Sequence, residues 1–572
     1  MKNFLRILIV FLLIGFMMSS CGKKGTSGAN PEEVKKMEAE YSKFVDSLIA
    51  RVKPASIDMS LTYFVSQVSG KKEDFAQSAA MEMKYNAILS DKAIFARLKQ
   101  YKESNLIKDE LKARELDLLY LSFLGMQVDT AKLNEMTKEQ TAISEKYNNF
   151  RAKVGNKEYT DNEVEDILKT SKDSKMLQDA WIAHKKIGPV VAQDIIKLVK
   201  LRNEVAKELG YKNYHDMSLR LNEQDPEVIS KLFDELDNLT KDAFVKEKAK
   251  MDEILAAGCK IKPADLMPWH YQNRFFQEAP KIYNIDLDVY YKGQDIMKNT
   301  EAYYKGLGMP MDDLAAKSDL YEKPGKCQHA FMIDIDRDSR DIRVLCNVKP
   351  SREWQETTLH EFGHALYEKY LDASLPWMLK QPAHIFTTEA IAMMFGRFAS
   401  NPQWMHDMLG VSAADQAKIT DATNKTLRLT ELVFSRWSQV MYRFEKGMYE
   451  NPDQDLNKLW WDLVEKYQMI KKPAGRNEPD WASKIHIATS PCYYHNYHLG
   501  ELFASQLYFT IADKVLHTQN TKNLSWVNKP EVGKFLIDNV FSVGSKYYWD
   551  DMIEKATGEK LTAKWYAKQF VQ

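Results

Sequence analysis

The segment His360-Glu361-Phe362-Gly363-His364 places two histidines four residues apart, with a glutamate directly after the first. On an α-helix, residues four apart lie one turn above each other on the same face, so both imidazoles can reach one metal ion. A glutamate beside such a pair can act as the base that activates a water molecule on zinc. The motif therefore predicts a zinc-dependent hydrolase, provided that it lies in a helix.

The sequence before the motif has the features of a helix start. Ser351 follows Pro350 and is a favourable N-cap, and Glu353 suits the positively polarised first turn. We expect this helix to run to about Tyr370, which places both histidines in its middle.

A catalytic zinc ion takes three protein ligands, so one more residue is needed. Glu368 shares a face with the histidines but lies eight residues beyond His360, about 12 Å along the axis, which is too far for bonds of about 2 Å. The favoured ligand is Glu389 in Thr388-Glu389-Ala390, which resembles a helix start capped by threonine. An antiparallel helix there would bring Glu389 over the histidines. His384 is the alternative ligand, and Glu389 could instead be a solvated first-turn residue.

The composition predicts a globular, mainly helical protein. The chain has 572 residues, of which 44% are hydrophobic and 28% charged, and its 80 basic residues balance 80 acidic ones. This balance argues against a nucleic-acid-binding surface. Amphipathic helical patterns fill about residues 31–55, 72–120, 130–171 and 176–257, with further helices to the C-terminus. Because the interior contains no Gly/Ser/Pro-rich linker, we expect residues 32–572 to form one catalytic domain.

The N-terminus has the pattern of a targeting segment. Lys2 and Arg6 precede an apolar run that is too short to span a bilayer comfortably. The run ends in small residues before Cys21, as in a bacterial lipoprotein signal. We therefore expect residues 1–20 to be a signal peptide, Cys21 to carry a lipid anchor and 21–31 to form a tether. The mature protein would be extracytoplasmic and anchored to a bacterial membrane; a plain secretory signal is the alternative.

Strand-like alternation is rare and is clearest just before the zinc motif. Residues 330–335 and 341–345 flank a polar turn, which predicts a β-hairpin. Export would permit disulfides. Since Cys327 and Cys346 flank this stretch, we favour a bridge between them, with two reduced buried thiols as the alternative.

The zinc motif, with a glutamate 25 residues after its second histidine, resembles that of the angiotensin-converting enzyme family of zinc dipeptidyl carboxypeptidases. Thimet-type oligopeptidases have a nearly identical motif, and segments outside it separate the two families. The resemblance is specific over about residues 325–510, looser over 190–325 and not traceable over 31–190. The segments similar to the first family are Cys327-Gln328-His329-Ala330, Leu459-Trp460-Trp461-Asp462-Leu463, Lys484-Ile485-His486-Ile487 and Tyr494-His495-Asn496-Tyr497.

The resemblance implies a two-lobed helical metallopeptidase with a deep central cleft and a small β element near the active site. It implies release of dipeptides from short peptides with a free C-terminus. We expect the protein to be a monomer. For the tyrosine that binds the substrate C-terminus, Tyr493 is the alternative to Tyr494, because the segment Pro491-Cys492-Tyr493 contains one residue more than the family pattern. The implied roles are zinc binding by His360, His364 and Glu389, general base and acid catalysis by Glu361, oxyanion stabilisation by His486 and Tyr497, binding of the substrate C-terminus by Lys484 and Tyr494, and substrate contact by His329 and Ala330.

Three positions depart from the family pattern. Asn496 stands where chloride-activated members have an arginine, so we do not expect chloride activation. Met393 stands where the family has an aspartate that orients a zinc histidine, so another residue must do so. The family's carboxylate-binding glutamine has only Gln272 as a candidate.

Two other functions compete with dipeptide release. One is an endo-acting oligopeptidase of the thimet type, with the same zinc chemistry. The other is a zinc-free lipoprotein that binds peptides on an inactive peptidase fold. The intact ligands, base and oxyanion donors argue against the second.

Overall fold

The structure is a computed structural model that describes residues 30–571. It is 68% helical and has two small two-stranded sheets, so the predicted mainly α fold is confirmed. The predicted signal peptide, the Cys21 anchor and most of the tether lie outside the described residues. None of the helices in the described range is long and apolar enough to cross a membrane.

The N-terminal part of the chain is a series of helices with one short hairpin. Its elements are α1 (Pro31–Ser69), α2 (Lys72–Leu89), α3 (Lys92–Ser104), α4 (Glu110–Leu124), α5 (Thr130–Asn149), β1 (Ala152–Val154), β2 (Lys157–Tyr159), α6 (Asp161–Thr170), α7 (Ser174–Lys185), α8 (Ile187–Glu208), α9 (Tyr214–Leu221) and α10 (Pro226–Cys259).

The C-terminal part contains the second hairpin and the remaining helices. Its elements are α11 (Asp288–Tyr291), α12 (Ile296–Gly306), α13 (Asp312–Lys317), β3 (Phe331–Asp336), β4 (Asp341–Leu345), α14 (Arg352–Lys369), α15 (Ile385–Gly396), α16 (Pro402–Leu409), α17 (Ala413–Glu450), α18 (Leu456–Leu463), α19 (His486–Thr489), α20 (His495–Lys514), α21 (Pro530–Leu536), α22 (Trp549–Thr557) and α23 (Lys564–Phe570).

The long helical runs predicted in the N-terminal part are divided by capping residues. The run predicted over 72–120 is interrupted at two points, where the side chains of Asp91 and Asp109 accept hydrogen bonds from backbone N–H groups and begin new helices. Asn105 ends α3 in the left-handed conformation, with a φ of 54°. The hairpin β1–β2, which turns at Gly155 with a φ of 60°, was not predicted within 130–171.

The two elements that frame the zinc motif match the prediction. Helix α14 begins after Ser351, whose Oγ accepts the backbone N–H of Trp354 at 3.1 Å, and it ends at Lys369. Strands β3 and β4 pair in antiparallel fashion, with Phe331 opposite Leu345. Both histidines of the motif therefore lie in the middle of a helix that follows directly from the hairpin.

Helices α14, α15 and α20 pack closely within the largest apolar core. A Cβ atom on Gly363 would lie 3.2 Å from the Cα of Ala392, and one on Gly396 would lie 3.6 Å from the Cβ of His360. The earlier residue of α14, His360, meets the later residue of α15, Gly396, whereas Gly363 meets the earlier Ala392. The two helices are therefore antiparallel. A Cβ on Gly500 of α20 would lie 3.3 Å from the Cβ of Glu389. Glycine at these positions lets the backbones approach and brings Glu389 toward α14.

The predicted Cys327–Cys346 disulfide is wrong, since all four cysteines in residues 30–571 are free thiols. Cys327 packs in a small cluster with Phe64 and Leu345, whereas Cys346 is buried in the main core. Consecutive residues of an extended chain point to opposite sides. Because Leu345 faces Cys327, Cys346 faces away from it.

Replacing Gly500 by alanine tests whether the close approach of α20 positions Glu389. The new methyl would also lie 2.5 Å from Cε of Met393. We expect a loss of about 1–3 kcal/mol in the free energy of unfolding, as for other overpacked sites. Zinc affinity, measured by chelator competition, should fall by about tenfold.

Gly258→Ala is the matched control, because a Cβ there would meet only the Lys172 side chain, at 3.8 Å. It should leave both quantities within experimental error. Unchanged stability and zinc affinity in Gly500→Ala would contradict the positioning role.

Candidate active site

The structure brings the three predicted zinc ligands together. His360 Nε2 and His364 Nε2 lie 3.3 Å apart, and Oε2 of Glu389 lies 3.7 Å from the first and 3.9 Å from the second. Ligand atoms bonded to a tetrahedral zinc ion at about 2.0–2.1 Å are separated by about 3.3 Å. The two imidazoles and one carboxylate therefore match the donor set and spacing that a catalytic zinc site requires.

Burial sets the charge of this ligand set. It lowers the pKa of His360 to about 4 and that of His364 well below its usual value, with the charge of His360 adding to the second shift. The same burial raises the pKa of Glu389 to about 7. Neutral imidazoles have a lone pair to share with a metal, and a nearby divalent cation would favour the ionised carboxylate.

Thr388 orients the second histidine. Its Oγ1 lies 2.7 Å from Nδ1 of His364, which directs Nε2 of that ring toward His360 and Glu389. Thr388 thus takes the orienting role that Met393 cannot perform. The sequence analysis missed it, although a threonine directly before the ligand is visible in the motif.

Both ring nitrogens of His384, the alternative ligand, are used in hydrogen bonds. Its Nδ1 accepts the backbone N–H of Phe386 at 3.2 Å, and its Nε2 lies 2.9 Å from the carbonyl oxygen of Asn222. His384 is therefore the N-cap of α15, and the prediction of a threonine cap is wrong. Because both ring nitrogens have partners, His384 is not available as a metal ligand.

Glu361 faces the ligand set from α14. Burial, with a further contribution from the charge of Glu389, raises the pKa of Glu361 to about 8, while the backbone of Met332 shifts this pKa in the opposite direction. A carboxyl group with a pKa near neutrality can both accept and return a proton. Met332 of strand β3 and the predicted base line the same cavity.

The ligand set and Glu361 line a cavity of about 610 Å³. Strand β3 and the residue before it form one wall, which Ala330, Phe331 and Met332 line. Ala330 is therefore placed where a substrate would pass, whereas His329 is exposed and lies outside this lining.

A second cavity, of about 420 Å³, contains the other predicted residues. It is lined by Lys484, His486, Tyr494 and Tyr497, together with Met393 of α15. Glu389, one helical turn before Met393, lines the first cavity. The two cavities thus adjoin at α15, with the ligand set on one side and Lys484 on the other.

Lys484 is buried, with an exposed fraction of 6%. Its Nζ donates to Oε1 of Gln277 at 2.6 Å and lies 5.2 Å from the ring centre of Tyr494. Burial, then the charge of Arg274, lowers the pKa of Lys484 to about 7. Among the described residues, no carboxylate lies within ion-pair distance of this ammonium group. Lys484 is a buried cation that lacks an anionic partner.

The glutamine beside this lysine is Gln277, and the candidate Gln272 lies elsewhere. Gln272 has a φ of 56° and uses its Oε1 to accept the backbone N–H of Lys281 at 2.9 Å. It stabilises a turn, whereas Gln277 lines the cavity. The sequence analysis missed Gln277 because the irregular segment after residue 270 gives no periodic signal.

The aromatic residues distinguish the two candidate tyrosines. Tyr494 lines the cavity, accepts the indole N–H of Trp437 at 2.8 Å and packs against His486. Tyr493 packs against Tyr497, with 5.3 Å between ring centres, and is absent from that lining. Tyr494 is therefore the tyrosine placed beside Lys484.

Asn496 lies in a neutral hydrogen-bond network. Its Oδ1 accepts from Nε2 of Gln224 at 2.7 Å, and Oε1 of the same glutamine lies 2.7 Å from Nε2 of His495. Burial lowers the pKa of His495 well below its usual value, so the network carries no charge.

Comparison with known proteins identifies the family. The sequence profile of the peptidase family described as angiotensin-converting enzyme matches residues 35–570. The chain belongs to the angiotensin-converting enzyme family. The recognition made from the zinc motif is therefore confirmed and extends over nearly the whole chain.

Individual relatives are distant. Angiotensin-converting enzyme from Theromyzon tessulatum is 24% identical over 443 residues, covering 71% of this chain and 70% of the relative. The enzyme from Rattus norvegicus is 23% identical over 427 residues, and the match spans 32% of its length. An inactive angiotensin-converting enzyme-related protein from Caenorhabditis elegans is 21% identical over 372 residues, covering 57% of this chain and 40% of the relative. Membership therefore supports a zinc peptidase, while activity must be argued from the site residues.

Replacing Thr388 by valine tests the orienting hydrogen bond. Valine preserves the shape but removes the oxygen that lies 2.7 Å from His364 Nδ1. We expect zinc affinity, measured by chelator competition, to fall about 10–100-fold. Thr388→Ser keeps the hydroxyl and should retain affinity within about threefold. Equal affinity in the valine variant and the unmodified protein would show that Thr388 does not orient the ligand.

Proposed function

We propose that the protein is a zinc-dependent peptidyl-dipeptidase that removes dipeptides from the C-termini of short peptides. The observation that carries this proposal is the buried Lys484–Gln277 pair in the cavity adjoining the ligand set. A peptidase that measures from a free C-terminus needs a cation at a fixed distance from its metal.

The environment of Lys484 suits a substrate carboxylate. Three aromatic rings, those of Phe275, Trp437 and Tyr494, lie 5.2–5.4 Å from its Nζ and exclude water. A buried ammonium with only a neutral partner is destabilised, and an incoming carboxylate would remove that cost. Gln277 can donate a second hydrogen bond through its amide group.

The chain's other residues supply proton transfer and hydrogen bonds. When bound by His360, His364 and Glu389, zinc would polarise the peptide carbonyl and lower the pKa of water. Glu361 takes the proton from the attacking water and delivers it to the leaving amine.

His486 and Tyr497 supply donors for the developing negative charge on the carbonyl oxygen. Burial lowers the pKa of His486 to about 4, so its ring is neutral and carries one N–H. Burial and the charge of Glu389 raise the pKa of Tyr497, which keeps its hydroxyl protonated. Neutral donors held in place act in this way without reorganisation.

Glu361→Gln tests the predicted base. The amide is close in size but cannot accept the proton from water. We expect the variant to retain zinc, measured by atomic emission, while kcat falls about 10²–10⁴-fold. Turnover equal to that of the unmodified protein would contradict the mechanism, and loss of zinc would reassign Glu361 to the ligand set.

C-terminal amidation tests the role of Lys484. We expect kcat/KM for an amidated peptide to be at least about tenfold below that of the free acid, because the amide cannot pair with the ammonium group. Lys484→Met should remove this difference, while Lys466→Met, at an exposed position, should preserve it. Cleavage that ignores amidation would support the endo-acting alternative.

The pKa of Lys484 gives the same interaction a pH dependence. Since that pKa is lowered to about 7, the ammonium is present below pH 7 and lost as pH rises above it. KM for the free acid should therefore rise above about pH 7, and it should be less pH-dependent in Lys484→Met.

A further inference from the structure

Two further charged residues line the cavity that contains the ligand set. Glu368 of α14 and Arg337, in the turn between β3 and β4, line the same cavity as His364. Asp334 of β3 lies behind them, with its Oδ2 at 3.9 Å from Nε of Arg337. The catalytic residues already described do not include any of these three.

The two carboxyl groups lack hydrogen-bond partners. Oε2 of Glu368 and Oδ1 of Asp334 are buried, and neither has a donor within reach among the described residues. Burial raises the pKa of both groups, and the charge of Asp334 adds to the shift of Glu368. Buried polar atoms are nearly always paired in folded proteins, so two unpaired carboxyl oxygens at a substrate cavity require an explanation.

Arg337 does not satisfy this pair. Its Nη1 donates to the carbonyl oxygen of Trp377 at 3.4 Å, and its Nη2 donates to Oε1 of Gln381 at 3.2 Å. The guanidinium group lies 4.7 Å from the ring centre of Trp377. One guanidinium group, which uses two of its N–H donors on Trp377 and Gln381 and forms no hydrogen bond to either carboxyl group, therefore faces both of them.

The surrounding acidic residues have their own partners. Asp341 pairs with Arg343 at 2.8 Å, and Asp338 pairs with Lys53 and Lys380. Glu368, a half-buried residue on the cavity wall, is thus left without a cation of its own among the described residues.

The position of Glu368 identifies the part of a substrate that it would meet. It lies four residues beyond His364, about 6 Å along the helix axis. Lys484 and Tyr494, which we assign to the substrate C-terminus, line the other cavity. Glu368 therefore lies on the amino side of the cleaved bond. Because extended residues advance about 3.3 Å each, its distance matches the second residue before that bond.

We propose that Glu368, supported by Asp334, forms a specificity subsite for a cationic group on the amino side of the cleaved bond. The ligand is an ammonium or guanidinium group: the side chain of lysine or arginine two residues before the bond, or the free α-ammonium of a tripeptide. This inference rests on the proposed dipeptide release. A bound cation supplies the missing donor to Glu368 and offsets the repulsion from Asp334.

Two sets of peptides with the same C-terminal dipeptide test this subsite. The first set consists of N-acetylated pentapeptides with lysine, methionine or glutamate two residues before the cleaved bond. The second compares a tripeptide that has a free α-amino group with its acetylated form. We expect kcat/KM to favour lysine over methionine by at least about tenfold, with glutamate poorest.

The two sets also distinguish the sources of the cation. A preference confined to the pentapeptides assigns the subsite to side chains, and one confined to the tripeptides assigns it to the α-ammonium. Dipeptide release without preference in either set overturns the subsite but leaves the proposed function intact. No dipeptide release from any peptide refutes the proposed function itself.

Glu368→Gln links the preference to this residue. The lysine preference should fall below about twofold, while kcat/KM for the methionine peptide changes by less than about threefold. Glu353→Gln, at an exposed position on the same helix, should keep the full preference. A preference unchanged in Glu368→Gln would overturn the proposal.

Asp334→Asn provides a second variant in case Glu368→Gln does not fold, as judged by zinc content and circular dichroism. It should reduce the lysine preference at least about threefold by removing the supporting negative charge. A full preference in this variant would contradict the role assigned to the pair.

Discussion

The close antiparallel packing of α14 against α15 is the constraint on which the site depends. Two histidines on one helix define only part of a zinc site, because the third ligand cannot come from the same turns. Gly363 and Gly396 allow the two backbones to approach, and Gly500 lets α20 press Glu389 toward α14. Since the same contact places Thr388 beside His364, both the ligand and the group that orients it come from adjacent residues of α15.

Burial then gives each group its chemical role. Desolvation keeps the two imidazoles neutral and raises the pKa of Glu361 to about 8, which suits the role of proton acceptor and donor that we propose for it. The same effect lowers the pKa of Lys484 to about 7, so its ammonium group is costly to maintain without an anion. In the metal cavity, the carboxyl groups of Glu368 and Asp334 share one cation, Arg337, and each has a buried oxygen without a hydrogen-bond donor among the described residues. A peptide with a basic residue and a free C-terminus would place a positive charge beside Glu368 and a negative charge beside Lys484.

Much of this arrangement could be predicted from local sequence patterns. The N-cap residue Ser351 and the helical spacing of the motif predicted α14. The alternation of apolar and polar residues on both sides of a polar turn predicted the β3–β4 hairpin. The reach of a zinc bond excluded Glu368 as a ligand and favoured Glu389. Patterns that span three to four residues carry this information because the elements themselves are local.

The features that were missed depend on contacts between distant segments. Gln277 lies in an irregular segment and meets Lys484 only through the tertiary fold. Thr388 and His384 both had suitable chemistry, but only the packing of α15 decides which of them contacts His364 and which caps the helix. The Cys327–Cys346 bridge failed for the same reason: proximity in sequence did not reveal that the two thiols face different clusters.

The most direct test of the central claim is to identify the products released from a mixed pool of short peptides by mass spectrometry. If Lys484 and Gln277 hold the substrate C-terminus at a fixed distance from the ligand set, the first products will be C-terminal dipeptides from peptides of different lengths. Internal fragments of varied length, with no excess of C-terminal dipeptides, would contradict that account.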